Sequence, residues 1–127
     1  MTADVAGRRI LIVEDEVIIA MSIESVLREQ GCVIVGPAAR VDRALELARS
    51  ERLDAALLDI GLRGEAVFPV ADALATRGVP FAFLSGYELE GMPSEHRDRP
   101  VLTKPDLLDA LLATLGMLIA TSHGGMR

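Results

Sequence analysis

Five short apolar runs punctuate the chain: Arg9 to Val13, Val33 to Val35, Ala55 to Leu58, Phe81 to Leu84 and Val101 to Thr103. Each has strand length and is rich in aliphatic side chains, the pattern of strands buried on both faces. Between them the apolar residues recur at three- and four-residue spacing, which predicts helices. From Val17 to Gln30 the repeat is carried by Ile18, Ile19, Ile23, Val26 and Leu27, and Gly31 stops it where glycine is favoured. From Val41 to Ser50 it is carried by Ala44, Leu45, Leu47 and Ala48, with Asp42 near the start.

A third helix is expected from about Ala66 to Arg77, where Pro69 is tolerated only in the first turn and Gly78 ends the pattern. A closing helix runs from about Asp106 to Ala120. Strand and helix therefore alternate five times. Short connections between them predict an α/β domain, a parallel sheet covered by helices on both faces, with any ligand beyond the carboxyl ends of the strands.

Three stretches fall outside these runs and helices. Gly61 to Glu65 reads as a loop, and Gly36-Pro37 as the exit from the second strand. Gly86 to Pro100 contains Gly91, Pro93 and Pro100, and its Ser94 to Arg99 portion is entirely polar. A loop or one weak helical turn is expected there, with the region to Arg99 the most mobile internal part, because it offers little apolar surface to hold it down. The tail from Thr121 is expected to fray.

In the closing helix, Leu108, Leu111, Leu112, Leu115, Leu118 and Ile119 make the expected core face. The opposite side, Asp106, Ala110, Ala113, Gly116, Met117 and Ala120, is poor in charge, so a partner or homodimer contact is expected on it.

Composition narrows the function. With 127 residues there is room for one domain, its core about residues 9–120, and none for a separate output domain. Half the residues are apolar but only 3% aromatic, so the core is aliphatic and stacking on nucleic-acid bases is disfavoured. A net charge of −6 with scattered basic residues points the same way, toward a protein partner rather than a nucleic acid. Cys32 is the lone cysteine, so no internal disulfide forms and it is expected to pack as a small hydrophobe. No signal-peptide pattern is present, and the longest greasy stretch, Leu107 to Ala120, is interrupted by Asp109 and falls short of the about 20 residues a membrane span needs. A cytoplasmic protein without a membrane partner is expected.

The chemistry sits where apolar runs stop. Glu14-Asp15-Glu16 follows the first strand, Asp59 ends the third, and Lys104-Pro105 follows the fifth. On one edge of a parallel sheet these acids and the lysine converge. Crowded carboxylates repel, and a bound cation relieves them; carboxylates with a nearby lysine suit Mg²⁺ and a phosphoryl group. Taken singly, each has a simpler explanation: a helix-start acidic cluster, a turn aspartate, a capping Ser85, a surface lysine.

Together, however, the acidic pair, Asp59, the hydroxyl of Ser85 ending the fourth strand and the Lys-Pro ending the fifth resemble the receiver domain of two-component response regulators. The resemblance spans about Arg9 to Ala120 and implies a flavodoxin-like fold and a phosphoacceptor switch rather than an enzyme with a separate substrate. It implies Asp59 as the residue taking a phosphoryl group from a sensor histidine kinase. It further implies Asp15 as a direct Mg²⁺ ligand, Glu14 as a ligand through water, and Asp59 with the backbone carbonyl of Gly61 as the remaining protein ligands. Lys104 becomes a positive clamp, and Ser85 the hydroxyl that moves onto the phosphoryl oxygen.

Departures refine the match. Val101 stands three residues before Lys104, where many receivers have Tyr or Phe. Pro80 to Tyr87 resembles the PFxFATGY pattern of the FAT GUY subset, with Leu84 and Ser85 replacing Ala and Thr. That likeness makes Gly86, Tyr87 and Val101 the switch region and implies a short or disordered fourth helix and kinases of the HWE or HisKA2 type. Gly61-Leu62-Arg63-Gly64-Glu65 is similar to the subset's Asn-Leu-x-Gly-Glu with glycine for asparagine.

Three other functions fit the residues less well. An aspartate-nucleophile phosphatase wants a second aspartate where this chain has Ile60-Gly61, and a flavin module wants a Ser/Thr- and Gly-rich loop where it has three acids. A receiver-like module without phosphorylation is opposed by the complete set Glu14, Asp15, Asp59, Ser85 and Lys104. The favoured output is phosphorylation-dependent contact with a downstream protein, or service as a phosphate relay or sink to another phosphotransferase.

Overall fold

A computed structural model describes residues 5–62, 64–85, 93–103 and 107–124. Five parallel strands form one sheet in the order β2-β1-β3-β6-β7: β1 Arg9–Val13, β2 Val33–Ala38, β3 Ala55–Asp59, β6 Phe81–Ser85 and β7 Val101–Thr103. The expected flavodoxin-like architecture is present.

Because successive strand residues face opposite sides, each strand feeds two cores. Ile10, Ile12, Ala55, Leu57, Ala82, Leu84 and Leu102 pack on one side against helices α1 (Val17–Glu29) and α4 (Leu107–Gly124). Leu11, Val13, Val35, Ala56, Leu58, Phe81 and Phe83 pack on the other against α2 (Val41–Ser50) and α3 (Phe68–Thr76). Cys32 lies in the first core as expected, its Sγ donating to the Val5 carbonyl at 3.3 Å, and burial raises its thiol pKa. No helix among the described residues is long and apolar enough to cross a membrane.

Four expectations are corrected. Strand β2 continues through Gly36-Pro37 to Ala38, across a register shift opposite β1. Proline is tolerated there because β2 is an edge strand, where one missing donor leaves no neighbour unpaired. Gly36 adopts φ +97°, and a Cβ on it would lie 2.9 Å from both the Ile12 carbonyl oxygen and the Ala38 nitrogen.

The Gly61 to Glu65 loop contains strand: β4 (Gly61–Leu62) and β5 (Glu65–Ala66) pair antiparallel about Gly64 at φ +79°, so α3 starts only at Phe68, with Pro69 in its first turn. Helix α4 runs on to Gly124, since no glycine or proline falls between Ala120 and that residue. Leu108, placed in the core by its spacing, is 43% exposed because its turn opens the helix at the strands' carboxyl edge, ahead of the sheet surface that covers Leu111, Leu115, Leu118 and Ile119. Ala110, Ala113, Met117 and Ala120 are exposed as expected, while Gly116 is half-buried and Asp106 lies outside the described residues.

Candidate functional site

Strands β1, β3 and β6 are parallel neighbours, so their last residues share one edge. Val13 pairs with Leu58 and Asp59 with Leu84, which puts Glu14 and Asp59 beside each other and Ser85 one residue further along. The turn out of β1 is fixed by its backbone: the Glu14 N–H donates to the Ala38 carbonyl at 2.9 Å, and the Glu16 N–H donates to Glu14 Oε2 at 3.0 Å. That turn draws a carboxylate inward at the mouth of the sheet. Glu14 is 2% and Asp59 5% exposed, and Asp15 is half-buried.

Carboxylate oxygens of Glu14, Asp15 and Asp59 lie within 4.8 Å of one another. Two full charges at that separation repel by about 3.5 kcal/mol at an effective dielectric of about 20, which favours a cation among them. Hard divalent cations take oxygen donors, and this cluster supplies three carboxylates on a partly open edge. The donor set fits Mg²⁺. Gly61 begins β4 two residues after Asp59 and is exposed, with nothing within 4 Å of where a Cβ would stand, so its backbone is approachable.

The loop beyond Asp59 is tied down at both ends. The Ile60 N–H donates to the Leu84 carbonyl at 3.1 Å, and the Val67 N–H donates to the Ile60 carbonyl at 3.2 Å. Ser85, 7% exposed, ends β6 and pairs with Thr103, the residue before Lys104. Lys104, Gly86 and Tyr87 themselves lie outside the described residues. Val101 is half-buried opposite Phe83 and packs on the α2–α3 core, so an aliphatic side chain fills that position.

His96 departs from the mobile, polar surface expected of the Ser94 to Arg99 portion. The expected helical turn is a single 3₁₀ turn, Ser94–His96, and His96 is 2% exposed. Its ring packs among Phe68, Phe81 and Phe83, its Nε2 lies 2.8 Å from Asp72 Oδ1, and the Arg99 guanidinium sits 4.2 Å over Phe81. Far from lacking anything to hold it down, the Ser94 to Arg99 portion is anchored by one buried imidazole. The side chain of His123 lies outside what the structure describes.

Residues 10–113 match the family model described as the response regulator receiver domain, and the chain belongs to that family. Receiver domains are the phosphoacceptor domains of two-component signalling, partner histidine kinases and bind Mg²⁺ at this acidic pocket. Among solved structures, the chain resembles SdrG from Sphingomonas melonis Fr1, with 44% identity, a TM-score of 0.73, and coverage of 86% of this chain and 96% of that one. It also resembles the receiver domain of the sensor histidine kinase PA1611 from Pseudomonas aeruginosa PAO1, solved with a magnesium ion coordinated in the active-site cleft. There the identity is 27%, the TM-score 0.75, and the coverage 91% and 99%. The transcriptional regulatory protein PdtaR of Mycobacterium tuberculosis is 28% identical over 117 residues, 89% of this chain; the chain spans 57% of that relative's length.

Proposed function

We propose that Asp59 accepts a phosphoryl group from the phosphohistidine of a sensor histidine kinase, and that the phosphorylated domain acts through protein contacts or as a phosphate relay or sink. The observation that carries this is the crowding of Glu14, Asp15 and Asp59 within 4.8 Å at the sheet edge where Ser85 also ends. A carboxylate oxygen of Asp59 attacks phosphorus, the P–N bond breaks with its electron pair leaving on the imidazole, and an acyl phosphate forms.

Mg²⁺, when bound, neutralises charge on the transferring phosphoryl oxygens. Asp15 would hold it directly, Glu14 through water, with Asp59 and the Gly61 carbonyl completing the protein donors. Lys104, next after Thr103 at the end of β7, would supply a second positive charge, and Ser85 a hydroxyl toward the phosphoryl oxygen. The domain works as a switch, with no separate substrate to turn over.

The Pro80 to Tyr87 pattern supports membership of the FAT GUY subset and kinases of the HWE or HisKA2 type. A cytoplasmic compartment is in keeping with this phosphotransfer role. Incubation with acetyl phosphate should add one phosphoryl group to the intact mass in Mg²⁺, and none in EDTA or in Asp59→Asn. Labelling that persists in Asp59→Asn refutes the assignment.

A further inference from the structure

Among the described residues, His96 is the one buried polar side chain outside the acidic site that bridges separate elements. It reaches from the turn after the fourth large strand to α3, whose Asp72 lies 24 residues earlier. Since a carboxylate can only accept, Nε2 carries the proton and donates to Asp72 Oδ1. Nδ1 is buried with no hydrogen-bond partner among the described residues. The bond to Asp72 is thus the ring's only polar tie there, and breaking it would leave a buried imidazole unsatisfied.

What the ring touches connects it to the phosphoacceptor edge. Phe83, edge-on to it at 6.1 Å, stands two residues before Ser85 and pairs with Leu58, the neighbour of Asp59. Phe68, stacked on it at 6.4 Å and 19°, follows Val67, whose N–H holds the Ile60 carbonyl just after Asp59. Phe68 and Phe83 also meet edge to face at 5.9 Å. One imidazole therefore braces both the strand that delivers Ser85 and the loop that leaves Asp59.

We propose that His96, latched to Asp72, is a positioning residue for the phosphoacceptor site: through Phe83 and Phe68 it keeps Ser85 and the Asp59 loop in the geometry that takes up a phosphoryl group. The proposal rests on Asp59 being the acceptor. Asp72 is 61% exposed on the outside of α3, so its substitution cuts the latch without disturbing the aromatic cage.

The test compares wild type with Asp72→Ala, Asp72→Asn and His96→Phe, following the rate of Asp59 labelling by acetyl phosphate and the affinity for Mg²⁺. Misplacement of a reacting group by about 1 Å can cost about 100-fold in rate, so a shift of about half that size corresponds to about tenfold. Asp72→Ala and His96→Phe are expected to slow labelling by about that factor, at unchanged Mg²⁺ affinity. Asp72→Asn, whose amide oxygen still accepts, should stay within about twofold of wild type. The His96 ring resonance should also shift when beryllofluoride is added to wild type and stay fixed in Asp59→Asn.

Wild-type rates in Asp72→Ala and His96→Phe, or equal slowing in Asp72→Asn and Asp72→Ala, overturn the latch. A fall in Mg²⁺ affinity parallel to the rate shows general loosening and does so too. Absence of labelling in wild type fails differently, by removing the acceptor assignment on which the latch depends.

Discussion

Replacing Asp59 with Asn should stabilise the metal-free protein. The substitution is nearly isosteric, so it removes one negative charge from the cluster of Glu14, Asp15 and Asp59 while changing packing little. With carboxylate oxygens within 4.8 Å, Asp59 takes part in two repulsive pairs, each worth about 3.5 kcal/mol at an effective dielectric of about 20. Solvent at half-buried Asp15 screens one of them, and the Glu16 N–H already satisfies one oxygen of Glu14. A net gain of about 1–3 kcal/mol remains, which for a domain of this size raises the melting midpoint by roughly 3–5 °C per kcal/mol. Urea and thermal unfolding of both proteins in EDTA measure it. Adding Mg²⁺ should then raise the stability of wild type more than that of Asp59→Asn, because a ligand at free concentration L stabilises by RT ln(1 + L/Kd), which grows as it binds the folded state more tightly. Asp59→Asn unfolding at the wild-type midpoint or below it in EDTA would show that the three carboxylates are already balanced, and the electrostatic case for a cation would fall.

Three further outcomes are expected. Gly36→Ala should cost about 2 kcal/mol or more in urea unfolding, because φ is +97° and the new Cβ meets backbone atoms at 2.9 Å; a neutral effect would contradict that geometry. Arg77 Nη1 donates to the Ala48 and Glu51 carbonyls at 2.6 and 2.8 Å at the end of α2, so Arg77→Ala should lose about 1 kcal/mol and raise amide exchange in the last turn of that helix. Burial raises the Cys32 thiol above its ordinary value of 9.0, so the folded state keeps a proton that the unfolded chain gives up. Wild type should therefore lose stability relative to Cys32→Ala as pH rises past that value, and a pH-independent difference between them would contradict the burial.

The five large strands and four helices were legible because strands buried on both faces appear as unbroken apolar runs, and each helix keeps a core stripe at three- and four-residue spacing. The acidic pair, Asp59 and Ser85 were legible for a related reason: each directly follows or closes such a run, so parallel topology alone brings them to one edge. The β4–β5 ribbon was not, since two-residue strands are too short to show a period. Pro37 read as a stop because proline usually ends a strand, and only the edge position of β2 makes it tolerable. His96 was the larger miss. Its neighbours in sequence are polar, and its burial comes from Phe68, Phe81 and Phe83, which lie on α3 and β6 and whose convergence no local pattern announces. A histidine within a polar stretch between two prolines, in a chain with only three phenylalanines, was the available signal.

The central claim is that Asp59, among three clustered acids, is the one that becomes an acyl phosphate. Wild type treated with acetyl phosphate and Mg²⁺, then reduced with borohydride, converts an aspartyl phosphate to homoserine at the modified position, which peptide mass spectrometry locates. The account predicts homoserine at Asp59 alone, with none in protein kept in EDTA. Homoserine at Asp15, a modified Glu14, or an unmodified Asp59 in a protein that has gained phosphate would contradict it.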